Sequence, residues 1–201
     1  MHSHFMNGDF GSNIYRAGTY VKNIRENNDK VILLDSGGSV AGSLAAHYYA
    51  IVAPYKRHPM IKLMNAMQYD ASGISPDDFK FGLSFLTKAV SLSRFQYIIK
   101  EYDNVRIAIV GLTADGLMKN EFAEMEKEVS IEKALLSAKR WIRYIHESEH
   151  PDFLIVIYHG GLYKINQTNT RHRKGSHEAE KIMKEIGVID LMITAHQHQT
   201  I

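Results

Sequence analysis

The sequence predicts an α/β layered domain. Short apolar runs rich in β-branched residues recur along the chain, and segments of helical period fill the intervals between them. The runs are residues 30–35 (KVILLD), 105–112 (VRIAIVGL), 153–158 (FLIVIY) and 189–194 (IDLMIT). Their nearly continuous apolarity is that of strands covered on both faces.

In chain order, residues 15–25 carry a helical pattern and lead into the first strand, 30–35. Residues 60–67 and 83–90 are the next two helices, followed by the strand at 105–112. The clearest helix is 131–145, where Ile131, Leu135, Ala138, Trp141, Ile142 and Ile145 recur at intervals of three and four behind Ser130 as N-cap. The strand at 153–158, a helix at 178–185 capped by Ser176, and the strand at 189–194 complete the alternation. Residues 166–175 (NQTNTRHRKG) form a polar, basic loop between them.

With 201 residues and 45% hydrophobic content, the chain suffices for one domain with a real core, residues 1–201. Twenty-four basic residues stand against 22 acidic ones, so no strong field points to a nucleic acid polymer or an anionic membrane. No apolar run reaches the ~18 residues of a membrane span. The polar start Met1-His2-Ser3-His4 is no signal peptide, which leaves the chain as it stands in the cytoplasm. The absence of cysteine removes disulfides, thiolate metal sites and a cysteine nucleophile.

In layered α/β domains, ligands gather beyond the carboxyl ends of the strands. There the sequence places Asp35-Ser36-Gly37-Gly38-Ser39, His159-Gly160-Gly161 and Ala195-His196-Gln197-His198. The chain holds 11 histidines, and three of them fall at these ends. Imidazoles there sit on rigid backbone and suit zinc, iron, manganese or nickel. The other features read as structure. Arg171-His172-Arg173-Lys174 is a solvated loop, His47 beside Tyr48 and Tyr49 packs on a helix, and His58, His146 and His150 are surface or helix-end residues.

These anchors, in their order, resemble the calcineurin-like metallophosphoesterases, specifically the 5′-nucleotidases and 2′,3′-cyclic nucleotide phosphodiesterases. His2-Ser3-His4-Phe5 matches the family's D-x-H-S-H-F with its aspartate falling before Met1, and Leu34-Asp35-Ser36-Gly37 matches L-D-x-G-D. Residues 60–70 resemble the run before G-N-H-E, Tyr158-His159-Gly160-Gly161 the H-x-G, and residues 189–198 the strand entering G-H-x-H. The resemblance implies a sandwich of β-sheets flanked by helices, incomplete at the C-terminus. It also implies two metal ions ~3.5 to 4 Å apart that activate water against a phosphoric ester. By position, His2 and His198 would serve one ion, and His159 and His196 the other.

The pattern also breaks. Gly38 stands where the bridging aspartate belongs, and Ser75-Pro76-Asp77-Asp78 replaces G-N-H-E, so Pro76 takes the place of the asparagine ligand and Asp77 that of the catalytic histidine. Asp77 or Asp78 could swing in as an oxygen ligand, although S-P-D-D is also an ordinary turn or helix start, favoured for Asp78. The nucleotide-selecting C-terminal domain of the family is absent, as is one strand near residue 98, and unpaired sheet edges could be covered by self-association into a homo-oligomer. Many family members are exported, so the compartment stays open. The expectation is metal-dependent hydrolysis of nucleotide-like phosphomonoesters or diesters, weak because the site is depleted, with one or two divalent ions and a small-molecule phosphate ester as partner. The alternative is a catalytically silent member of the fold, serving as a binding or regulatory module or a truncated remnant.

Overall fold

The longest apolar runs lie side by side in a four-stranded sheet of order β3-β4-β5-β6. These strands are β3 (Ile99–Tyr102), β4 (Val105–Thr113), β5 (Phe153–His159) and β6 (Leu191–Thr194). β3 and β4 form an antiparallel hairpin, whereas β4, β5 and β6 run parallel. A second sheet holds only β1 (Leu34–Asp35) and β2 (Ala71–Ser72), also parallel. The computed structural model describes residues 14–42, 44–54, 57–94, 99–115, 129–162 and 177–196.

The alternation of side chains along β4 and β5 assigns each face of the large sheet a different partner. Ala108, Val110, Leu112, Leu154, Val156 and Tyr158 point toward helices α5 (Ala134–Glu149) and α6 (Ala179–Ile186). Ile109, Ile155 and Ile157 point the other way, onto Ile32, Leu34 and Ala71 of the small sheet. Beyond the small sheet, α1 (Ile14–Asn27), α3 (Pro59–Ala66) and α4 (Leu83–Val90) close a separate core around Met60, Met64, Tyr69, Phe79 and Leu86. The result is helices, two sheets face to face, then helices, the sandwich that the resemblance implies. A short helix, α2 (Leu44–His47), runs into a π turn (Tyr48–Val52) on the same side.

Three local expectations are adjusted. The run at 30–35 pairs as a strand only at Leu34–Asp35, because β2 offers just two residues opposite it; ahead of them, Asp70 N–H donates to Leu33 O (2.9 Å) and Leu33 N–H to Asp70 Oδ2 (2.7 Å). Helix α5 starts at Ala134 behind Lys133 rather than behind Ser130, and its buried stripe is Ala134, Ala138, Ile142 and Ile145. Trp141 lies one residue, or 100° of helix turn, off the Ile142 position and is 47% exposed.

His58 is the third. It is not a surface residue but 4% exposed at the start of α3, between the rings of Tyr49 (6.0 Å) and Phe85 (5.9 Å). Burial lowers its pKa to about 4, against a smaller opposing pull from the Val40 backbone. In the unfolded chain the ring titrates near ~6.5. Below that pH the unfolded state takes up a proton that the folded state refuses, so stability present above pH ~6.5 is lost as pH falls toward 4. The melting temperature is expected to drop by several degrees across that window. His58→Phe, measured by thermal melts at each pH, should flatten that part of the profile.

Candidate metal centre

The parallel register of β4, β5 and β6 brings their carboxyl ends to one edge, with Thr113 opposite His159 and Tyr158 opposite Thr194. Beyond β6, Ala195 N–H donates to Tyr158 O (3.2 Å) and Gly160 O (3.3 Å), which fastens the residue before His196 to the end of β5. His159 and His196 therefore meet, their ring centroids 5.8 Å apart. His196 holds a left-handed backbone at φ 80°, a conformation that costs a non-glycine residue ~1–2 kcal/mol and is typical of functional positions.

His159 is buried, and its Nδ1 lies 2.8 Å from the backbone carbonyl of Ser36. A carbonyl oxygen can only accept, so the network assigns the proton to Nδ1 and leaves the lone pair on Nε2. An imidazole that donates one nitrogen to a backbone carbonyl and offers the other is oriented as metal-binding histidines are.

The loop that supplies Ser36 follows β1. Asp35 does not point into open space: its Oδ2 accepts from Gly37 N–H (3.0 Å), Ser39 Oγ (2.7 Å) and Ser72 Oγ (2.9 Å). Gly37, at φ 93°, has no room for a side chain, since a Cβ there would lie 2.8 Å from Ser75 N. Gly38 differs. At φ 81° a Cβ would meet Ser75 Oγ at 3.5 Å, His159 Cε1 at 3.8 Å and Ser75 Cβ at 4.0 Å, all ordinary contacts, so the side-chain place at Gly38 faces Ser75 and His159.

Asp78 lies in the 3-10 turn Pro76–Phe79 and is 3% exposed. Its carboxylate accepts from Gly38 N–H (2.8 Å), Ser75 N–H (2.9 Å) and Val40 N–H (3.1 Å). Desolvation pushes its pKa up, while those three donors pull it down. Asp78 starts a turn, as S-P-D-D suggests, and through these three bonds it also clamps the Gly38–Val40 loop, a role the sequence reading did not contain. Asp77 is half-buried in the same turn, and its side chain makes no hydrogen bond or ion pair among the described residues. A cavity of about 240 Å³ adjoins the clamp, lined by Ser39, Ser72 and Asp78 on one side and by Ile61, Met64 and Leu86 on the other.

Among the described residues the donor set is a partial one for a divalent ion. Two neutral imidazoles are presented, the Gly38 position offers no bridging oxygen, and Asp35 and Asp78 are engaged in their own loops. Among the described residues no three histidine, aspartate or glutamate side chains converge as a ready ion cage. His2 and His198 lie outside the described residues, as does the 166–175 loop.

One nearby imidazole was not singled out by the sequence. His177 lies two residues before α6, and its ring centroid lies 6.2 Å from that of His196. The signal was topological: a residue at the start of a helix between two parallel strands sits at their carboxyl edge.

No protein-family model matches the chain. It is 25% identical over 222 residues to the trifunctional nucleotide phosphoesterase YfkN of Bacillus subtilis, covering 94% of this chain and 15% of the relative. It is 20% identical over 234 residues to a 2′,3′-cyclic-nucleotide 2′-phosphodiesterase/3′-nucleotidase of Yersinia enterocolitica, covering 98% of this chain and 35% of that protein. The crystal structure of the calcineurin-like phosphoesterase YfkN superposes with a TM-score of 0.80 at 24% identity, over 96% of this chain and 65% of that one. The architecture is thus that of a calcineurin-like phosphoesterase. Within that class the chain is similar to these nucleotide phosphoesterases, and it spans about a third or less of the length of the two relatives.

Proposed function

We propose that this chain hydrolyses phosphoric esters, nucleotide-like phosphomonoesters or diesters, with one divalent ion held through His159 and His196. The observation that carries this reading is the oriented pair itself: His159 with Nδ1 tied to Ser36 and Nε2 free to ligate, beside His196 on a strained backbone. His2 and His198 would join them, and residues 1–201 act as one domain. When bound, manganese, zinc, iron or nickel would supply an acidified water and a counter-charge for phosphate oxygens.

The chain's own residues set the limits of that chemistry. Ser36 holds the His159 ring in one tautomer, and the Asp78 clamp holds the loop that carries Ser36. At the place of the family's catalytic histidine, Asp77 presents acceptor oxygens to a phosphoryl group where a histidine would donate to it. Turnover is therefore slow. Gly38 and Pro76 favour the second reading, a silent member of the fold acting as a binding or regulatory module.

Purified protein assayed with Mn²⁺ on aryl phosphate monoesters and diesters separates the two. Slow hydrolysis that depends on the ion and falls at least a hundredfold in His196→Ala supports the enzyme. Absence of turnover with every divalent ion tested sinks it and leaves the binding module.

A further inference from the structure

His177 is placed at the site by bonds independent of its own side chain. The next residue, Glu178, donates its N–H to the buried Tyr158 hydroxyl (3.4 Å), and Ala179 N–H donates to Gly161 O (3.4 Å). The start of α6 is thereby fastened to the end of β5, on the edge where β6 delivers His196. His196 is the shared member of two imidazole pairs, 5.8 Å from His159 and 6.2 Å from His177 between ring centroids. Two imidazoles on one ion, each nitrogen ~2.0–2.1 Å from the metal, place their ring centroids roughly 5 to 6 Å apart. The first pair falls at the upper end of that range and the second just beyond it.

We propose that His177 is an additional imidazole ligand of the His159–His196 centre, taking over part of the role left vacant at Gly38 and Pro76. This rests on the reading that His159 and His196 hold a divalent ion. The three rings do not yet surround one point, so side-chain torsions at His177 and His196 close the set when the ion enters. Three neutral nitrogens suit a zinc-like ion better than a hard, oxygen-preferring one such as magnesium. His177 is only half-buried, so its replacement leaves the core intact.

The test is calorimetric titration of the full chain with Zn²⁺ and with Mn²⁺, for wild type, His177→Ala, His177→Gln and His196→Ala. Melting curves without metal serve as the folding control. The visible spectrum of the Co²⁺ form gives a readout free of turnover. A ligand must matter at least as much as the residues that orient it, whose loss weakens metal affinity 10–100-fold. His177→Ala and His177→Gln are therefore expected to weaken Zn²⁺ affinity tenfold or more, with unchanged metal-free melting and a less intense Co²⁺ spectrum. Affinity within twofold of wild type in both His177 variants, alongside a clear loss in His196→Ala, would overturn the role of His177 and leave the centre standing. Failure of the wild-type chain to bind any of the three ions would overturn both.

Discussion

Asp78→Ala is expected to lower folding stability by about 3–5 kcal/mol, read as a shift in the midpoint of urea unfolding at constant slope. The three N–H groups of Gly38, Val40 and Ser75 are buried and share this one carboxylate. Alanine leaves all three unpaired, each at roughly 1–3 kcal/mol, and relief of the carboxylate's own desolvation returns part of that sum. Asn at this position can keep its carbonyl oxygen on Gly38 N–H and Ser75 N–H but turns its NH₂ toward Val40 N–H, and should recover part of the loss. The consequence reaches the site. The clamped segment continues from Ser36, whose carbonyl sets the tautomer of His159, so metal affinity should fall together with stability. A loss below ~1 kcal/mol would mean that the loop is held by something other than Asp78.

How legible this was in the sequence depended on the range of the contacts. The runs at 105–112 and 153–158 announced β4 and β5 within one residue at their ends, because a strand buried on both faces must be apolar along its whole length. β2 gave no signal, since two residues, Ala71 and Ser72, are too few to show a period. β3 was missed because IKEY sets Lys100 and Glu101 side by side and shows no period of two in its four residues. Asp78 could be recognised as a turn starter from S-P-D-D, and its bond to Ser75 N–H is local, but its bonds to Gly38 and Val40 join segments about 40 residues apart, which no local spacing encodes. His58 was misread for the same reason: a His-Pro pair looks like an exposed helix start, and burial between Tyr49 and Phe85 is decided by how α3 and α4 pack. His159 and His196 were legible as strand-end histidines because register alone brings parallel strand ends together. His177 was passed over because it directly follows no apolar run, although the start of a helix between two parallel strands lies at that same edge.

The vacant side-chain place at Gly38 yields the most direct test of the family resemblance. Gly38→Asp is expected to raise divalent-ion affinity by on the order of a hundredfold, since a missing ligand should count for at least as much as an orienting residue. The space permits it, with Ser75 Oγ and His159 Cε1 at ordinary contact distance from a Cβ at Gly38. Its backbone opposes it, because φ 81° costs a side-chain-bearing residue ~1–2 kcal/mol. That strain is present with and without the ion, so it appears in the metal-free melting temperature, while the carboxylate's contribution appears in the binding isotherm. Gly38→Ala carries the same strain without the oxygen, and should melt as low as Gly38→Asp while binding no better than wild type. Adding Asp77→His to Gly38→Asp should then raise turnover on aryl phosphates rather than affinity, because it restores a donor for developing charge and not a ligand. If Gly38→Asp binds ions no better than Gly38→Ala, His159 and His196 do not hold an ion on the side that Gly38 faces. The loop after β1 would then be a relic of the family's geometry without its chemistry.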